Sequence, residues 1–392
     1  MSDGTSLLDL AGLQSLLECL RSRGYTVIGP TMRDGAVVAA EITRLEDLPR
    51  GWGDTQRPGS YRLRPREDAA LFGFAAPVHS PKATLFPADT TLWRRTRTED
   101  GFDVELGDGD QDAPPRYALF GVRSCDLRAI ELQDRVLDGR AVVDPDYHRR
   151  RRDLFVVAAT CSDPSGSCFC TSLGTGPRPT RGFDLALTEI LGGEHRFLVE
   201  VGSPAGSELL AGVPARPASP ADLSAADRVA RTAAEHILRR LDVDGLREVL
   251  QSAAGSPVWD EVATQCLACM NCTAVCPTCF CTSVADSTDL TGGTTTRHRV
   301  WDSCFSTEYS AVHGRSVRAG VAARYRQWVT HRFAAWVDQF QSVGCVGCGR
   351  CITWCPAGID LTRRLADVRA ERETATARAR ALAPTGDPHD RH

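Results

Sequence analysis

Six cysteines crowd the sixteen residues CLACMNCTAVCPTCFC at 266–281. Four of them, Cys266, Cys269, Cys272 and Cys276, follow the spacing C-x2-C-x2-C-x3-C and precede Pro277. Cys345, Cys348, Cys351 and Cys355 repeat that spacing before Pro356. Thiolates are soft ligands, and this is the bacterial ferredoxin run of [4Fe–4S] proteins. Three close thiolates wrap three corners of a cube. The fourth is carried away by the following turn, and the proline stops the chain folding back, so it ligates the other cube. The expected sets are Cys266, Cys269, Cys272 with Cys355, and Cys345, Cys348, Cys351 with Cys276. Zinc is the competing reading, but its C-x2-C pairs have no use for a third cysteine followed by x3-Cys-Pro.

A second constellation lies earlier in the chain. The pentapeptide CFCTS at 279–283 occurs also at 168–172. Cys168 and Cys170 are joined there by Cys125, after the apolar run YALFGV, and Cys161, after LFVVAAT. Strand ends in open α/β sheets collect ligands, and helix N-termini lower thiol pKa values. Cys125, Cys161, Cys168 and Cys170 are therefore candidates for a third [4Fe–4S] cluster, with structural zinc or free thiols as alternatives. Cys279, Cys281 and Cys304 make only three; Asp302 is a candidate non-cysteine ligand. Cys19, on an amphipathic stretch, reads as a packed thiol.

These residues need a scaffold. Leucines at helical spacing predict a helix over 6–20, capped by Thr5 or Ser6. Short apolar runs at 26–29, 36–42, 61–64, 117–122, 154–159, 183–190 and 197–201 predict strands, with a helix over 126–137. The fold expected is α+β: an N-terminal α/β domain over 1–203, then a mostly helical dicluster ferredoxin domain over 223–372. Residues 204–222, rich in Pro, Ala, Gly and Ser, read as a linker. Helices are predicted over 224–241, 245–251 and 316–341, the last with an apolar stripe from Val317 to Trp336. The charged segment 373–392 is expected to be disordered. Arg149–Arg152 read as a solvated turn before a buried strand.

Composition excludes some classes. The chain has 392 residues, 42% of them hydrophobic, and a net charge of −4, which speaks against a nucleic-acid surface. No apolar stretch reaches membrane-spanning length, and the N-terminus lacks a secretory pattern. A cytoplasmic protein is expected, in which sixteen cysteines imply metal rather than disulfides. No phosphate-binding G-x-x-x-x-G-K-[ST] loop occurs. GTGPRPTRG at 174–182 is a poor dinucleotide fingerprint, and no catalytic triad or histidine metal motif is visible. Gly344, Gly347 and Gly349 would let backbone N–H groups approach the second cluster.

The chain resembles the β subunits of cytosolic sulfhydrogenases, the NAD(P)-linked [NiFe]-hydrogenases, which are related to an anaerobic sulfite reductase subunit. The resemblance rests on CPTCFCTSV (276–284), RVWDSCF (299–305), GRSVR (314–318), RYRQW (324–328) and GCVGCGRCITWCPAGID (344–360). LFP (85–87), GVRSCDLRAI (121–130) and CFCTSLGTGP (168–177) extend it into the N-terminal half. It implies an iron–sulfur electron-transfer subunit without a catalytic site of its own. Its partners would be a flavin- and NAD(P)-binding subunit and the hydrogenase small and large subunits. The related sulfite reductase subunit, or a free-standing reductase using the extra cysteines, are the alternatives.

Overall fold

A computed structural model describes residues 5–107, 115–139 and 143–382. The chain opens with strand β1 (Thr5–Leu8), helix α1 (Leu10–Ser22) and strands β2 (Tyr25–Arg33) and β3 (Ala36–Glu41). The helix predicted from residue 6 thus begins later. Leu7 and Leu8 pair with a later strand instead, and the Asp9 carboxylate, not Thr5 or Ser6, caps α1 by accepting from the Gly12 N–H at 2.7 Å. Leu13, Leu16, Leu17 and Leu20 of α1 are fully buried, each contributing ~2 kcal/mol of apolar burial.

A hairpin follows, β4 (Trp52–Arg57) and β5 (Ser60–Pro65), then the short α2 (Lys82–Leu85) and a second hairpin, β6 (Asp89–Thr98) and β7 (Gly101–Leu106). Strand β8 (Arg116–Val122), α3 (Ser124–Leu137), α4 (Pro145–Arg152), β9 (Phe155–Ala159), β10 (Leu185–Ile190) and β11 (Arg196–Val201) complete the first half. The arginine run expected in a turn forms the last turn of α4, where its positive charge suits the carbonyl end of the helix. Strands β2, β8, β9 and β10 are parallel, flanked by antiparallel β3 on one side and β11 and β1 on the other. The central strands β8 and β9 carry continuous apolar runs, YALFGV and FVVAA, as burial on both faces requires. Their carboxyl ends deliver Cys125 and Cys161.

Residues 204–222, expected as a linker, are structured. They hold α5 (Pro204–Leu210), β12 (Arg216–Pro217) and the start of α6 (Pro220–His236). Pro204 and Pro220 each stand in a first helical turn behind a serine cap, so the proline content marks helix starts. Beyond α6 come α7 (Leu246–Ser252), α8 (Val258–Ala263) and α9 (Asn271–Ala274). A hairpin, β13 (Thr282–Thr288) and β14 (Thr294–Trp301), then leads to α10 (Val321–Thr330), a π-turn (His331–Ala335) and α11 (Trp336–Phe340). Val317 precedes the helix and is exposed, and Val321 is half-buried; Tyr325, Trp328, Val329, Phe333 and Trp336 of the predicted stripe are buried. The chain ends with α12 (Arg350–Thr353) and α13 (Leu361–Leu382). The tail expected to be disordered from 373 begins inside α13; residues 383–392 lie outside the described residues.

Strands β13 and β14 do not stay in the C-terminal half. They form one four-stranded sheet with β6 and β7, in the order β13-β14-β6-β7. A buried Arg350–Asp126 pair joins the halves elsewhere, its two hydrogen bonds at 2.7 and 2.9 Å.

Candidate iron–sulfur centres

The two ferredoxin runs fold alike. Cys266 follows α8, and its N–H bonds the Val262 carbonyl at 2.9 Å. Ala268 and Met270 then take positive φ, 51° and 65°, which turns the loop around its own thiols before α9 presents Cys272. In the second run Gly347 and Gly349 hold φ of 67° and 75° ahead of α12, which presents Cys351. The two short helices pack on each other. That contact crosses the runs. Cys266 faces Cys355 and Cys269, and Cys272 faces Cys266, Cys355 and Cys269. Cys276 in turn lies beside Cys345, Cys348 and Cys351. The structure thus brings together the two crossed sets.

The surroundings suit a cluster at each set. A pocket is lined by Cys266, Cys269, Cys272 and Cys355, together with Cys351, Tyr325 and Trp328. The Tyr325 hydroxyl and Trp328 indole N–H are buried donors without a protein partner, and a cube's sulfurs are acceptors. Backbone N–H groups point at thiol sulfurs: Ala268 at Cys266 (3.4 Å), Ile359 at Cys355 (3.4 Å) and Gly347 at Cys345 (3.5 Å). Burial pushes the thiols up, Cys345 to about 11 and Cys348 to about 12. Cluster binding therefore has to displace protons from these sites. Cys276 goes the other way. Burial opposes its ionisation, but hydrogen bonds from Cys279 and Thr278 and the Arg332 charge bring it well below a normal thiol.

Arg332 was not singled out by spacing. It sits in the π-turn, fully buried, and donates to Cys276 Sγ at 2.9 Å, Cys279 Sγ at 2.8 Å, Thr278 Oγ1 at 2.9 Å and the Gly344 carbonyl at 3.0 Å. Its guanidinium also lies over the Trp328 ring at 5.2 Å. A lone arginine between Trp328 and Trp336, on an apolar face, was the available signal. Of the three glycines, Gly347 contacts the first CFCTS loop: an added Cβ would come within 2.7 Å of Cys170 backbone atoms.

The four N-terminal cysteines form a third gathering. Cys170 lies beside Cys168 and Cys161, and Cys125 beside Cys170. Cys125 starts α3 and Cys161 follows β9. Burial outweighs the helix end here: it pushes Cys161 up to about 12 and raises Cys125 well above a normal thiol, opposite to the lowering expected. This gathering abuts the second ferredoxin run. Cys168 Sγ donates to the Cys348 carbonyl at 3.7 Å, the Phe169 N–H to the Gly347 carbonyl at 2.8 Å, and Thr175 Oγ1 to the Val346 carbonyl at 2.6 Å.

The second CFCTS behaves differently. Its first copy makes a tight turn over Cys170–Leu173, whereas residues 282 and 283 of the second begin β13. Cys279 joins Cys276 on Arg332, while Cys281 contacts Cys304. The three leftover cysteines therefore split. Asp302 accepts from Ser283 Oγ and the Ser303 N–H. Among the described residues, no group of three or more His, Cys, Asp or Glu side chains is arranged to hold a single metal ion. Cys19 packs partly buried against the N-terminal core.

Residues 265–359, the stretch that holds both crossed sets, match the family described as 4Fe-4S dicluster domain. Sulfhydrogenase 2 subunit beta of Pyrococcus furiosus is 33% identical over 335 residues, 84% of this chain and 95% of that protein. The chain belongs to the sulfhydrogenase β-subunit family. It is an iron–sulfur electron-transfer subunit with two [4Fe–4S] clusters. No solved structure matches it. Among the described residues, no helix is long and apolar enough to cross a membrane.

Proposed function

We propose that the chain relays single electrons between a flavin- and NAD(P)-binding subunit and the small and large subunits of a [NiFe]-hydrogenase, in a cytoplasmic hetero-oligomer. The observation that carries this reading is the crossing of the two ferredoxin runs, because Cys355 meets the first run and Cys276 the second. Cys266, Cys269, Cys272 and Cys355 would hold one cluster, and Cys345, Cys348, Cys351 and Cys276 the other. When bound, each [4Fe–4S] cluster takes up and gives up one electron.

The chain's own residues give the two sites different settings. Cys269 is exposed and flanked by Leu267 and Met270, both exposed apolar side chains. That edge is where a redox partner can come close. The second set is deeper, with Cys276 buried and Arg332 on its sulfur. A fixed positive charge there favours the electron-rich state. Cys125, Cys161, Cys168 and Cys170 would hold a third cluster next to the second, because Cys125 and Cys170 both lie beside Cys348.

Iron counting with EPR on anaerobically prepared protein tests the assignment. About eight irons per chain fit two cubes, and about twelve fit three. Cys272→Ser should remove one cube and stop electron flow between the flavin and hydrogenase partners. Zinc in place of iron, or an unchanged spectrum in that variant, would overturn the reading.

A further inference from the structure

The sheet β13-β14-β6-β7 makes its main packing contacts strand to strand. Nothing in the electron relay uses it. One of its faces turns to the body of the protein. Thr90 is buried there, and its cross-strand partner Arg299 pairs with Asp144 and lies over the Phe86 ring at 4.7 Å. Strand alternation puts Trp93, Arg95 and Arg97 of β6 on the other face. The register sets them opposite Leu106, Val104 and Phe102 of β7. Side-chain contacts agree: Arg95 lies over the Phe102 ring at 4.3 Å and donates to Thr295 Oγ1 at 3.3 Å, and Arg297 lies over the Trp93 ring at 5.1 Å. Phe102, Val104 and Leu106 are 53%, 61% and 77% exposed. Apolar side chains set in a row on an open sheet face, rimmed by polar ones, mark an interaction surface.

The arginines say what covers this face. Elsewhere in the sheet they are paired: Arg94 with Glu105, Arg297 with Asp286 and Arg299 with Asp144. Among the described residues, Arg95 and Arg97, the two beside the apolar row, make no ion pair. A surface that brings carboxylates to these two cations and apolar side chains to the row complements the face. The sheet is also continuous with the exposed edge of the first cluster set. Trp301 ends β14 and lines one cleft with Cys269 and Met270. Arg297 stands ~13 Å before Trp301 along the strand. One globular partner with a standard contact area of ~800 Å² covers both.

We infer that the outer face of this sheet anchors the redox partner that exchanges electrons at the Cys269 edge. The partner meets it with an acidic, partly apolar patch. Its carboxylates pair with Arg95 and Arg97, and its apolar side chains cover Phe102, Val104 and Leu106. The sheet thus supplies the affinity, while the ferredoxin edge supplies the route for the electron. This rests on the relay reading for the existence of that partner, but the place of docking can be measured without following electrons.

The test uses the full chain, loaded with iron under anaerobic conditions, alone and in the assembly that it forms with its partner subunits. Hydrogen–deuterium exchange should show residues 89–106 protected in the assembly relative to the free chain. Arg95→Glu combined with Arg97→Glu should weaken partner binding by ~30-fold or more. Val104→Ser should weaken it in the same direction, and Arg95→Lys with Arg97→Lys should stay near the wild-type affinity. Added salt should weaken the wild-type complex more steeply than the glutamate variant. Iron content and reduction of a small viologen dye should be unchanged in all variants, which separates docking from loss of fold. Wild-type affinity in the glutamate variant, or unprotected 89–106 in the assembly, would overturn the inference. So would protection of 89–106 by a second copy of this chain, read as a dimer of the free chain in light scattering. The relay reading fails with a different signature, namely a partner bound at the sheet that receives no electrons.

Discussion

Arg332→Met should lower the reduction potential of the cluster held by Cys276. The guanidinium donates to Cys276 Sγ at 2.9 Å. A metal–thiolate bond adds ~2.3 Å, so the positive charge stands roughly 5 Å from the nearest iron. At an effective dielectric near 20, a unit charge at that distance is worth about 3 kcal/mol on an added electron. For a one-electron couple, where ~59 mV is a factor of ten, that is a fall of about 130 mV. Methionine keeps the length of the side chain and removes the charge. Arg332→Lys keeps the charge and should hold the potential near the wild-type value. Spectroelectrochemical titration followed by EPR reads both clusters separately, with iron content as the control for loading. Arg332 also bears on Cys272, so the other cluster should fall less. A potential that is unchanged or raised in Arg332→Met at full iron loading would refute the electrostatic role.

Cys170→Ser should remove about four irons per chain if the N-terminal thiols hold a cube, and unchanged iron and EPR would rule that cube out. Gly347→Ala should destabilise the protein by about 2–5 kcal/mol, combining a left-handed alanine with backbone overlap against Cys170; an unshifted urea midpoint would contradict this. Asp54→Asn should be stabilising at pH 7.5 and neutral near pH 4. Burial raises the folded-state carboxyl to about 6, so its penalty is absent below the unfolded pKa and complete above 6. The two units correspond to about 3 kcal/mol, which unfolding at the two pH values would check.

The chemistry was legible in the sequence because ligand spacing is local. C-x2-C-x2-C-x3-C-P names a cluster type without reference to the fold, and residues 265–359 match a 4Fe-4S dicluster family. Parallel strands were equally visible, since burial on both faces leaves unbroken apolar runs such as FVVAA. What the sequence hid depends on distant partners. TTLWRRTRT and TTTRHRVW carry no clean alternation, and their pairing with each other joins two hairpins far apart in the chain. CFCTS occurs twice with two backbones, a tight turn against Val346–Cys348 and the lead into a hairpin, so the pentapeptide does not determine its own structure. Arg332 reads as an ordinary helical arginine until the π-turn directs it onto two sulfurs. The prolines at 204 and 220 resembled linker composition, yet each begins a helix behind a serine.

The sheet shared by β6 and β14 has a consequence for how the chain is made. Arg95 and Thr295 meet across it, 200 residues apart in sequence. At synthesis rates of 5–20 residues per second, the β6–β7 hairpin waits roughly 10–40 s on the ribosome before its neighbour exists. Through that interval one edge of β6 is unpaired, and Phe102, Val104 and Leu106 stand exposed on its companion strand. An unpaired strand edge invites pairing with other chains. The hairpin is thus the segment of the nascent chain that most needs shelter. Closure of this sheet is a late event, reached only after the first ferredoxin run has already been synthesised.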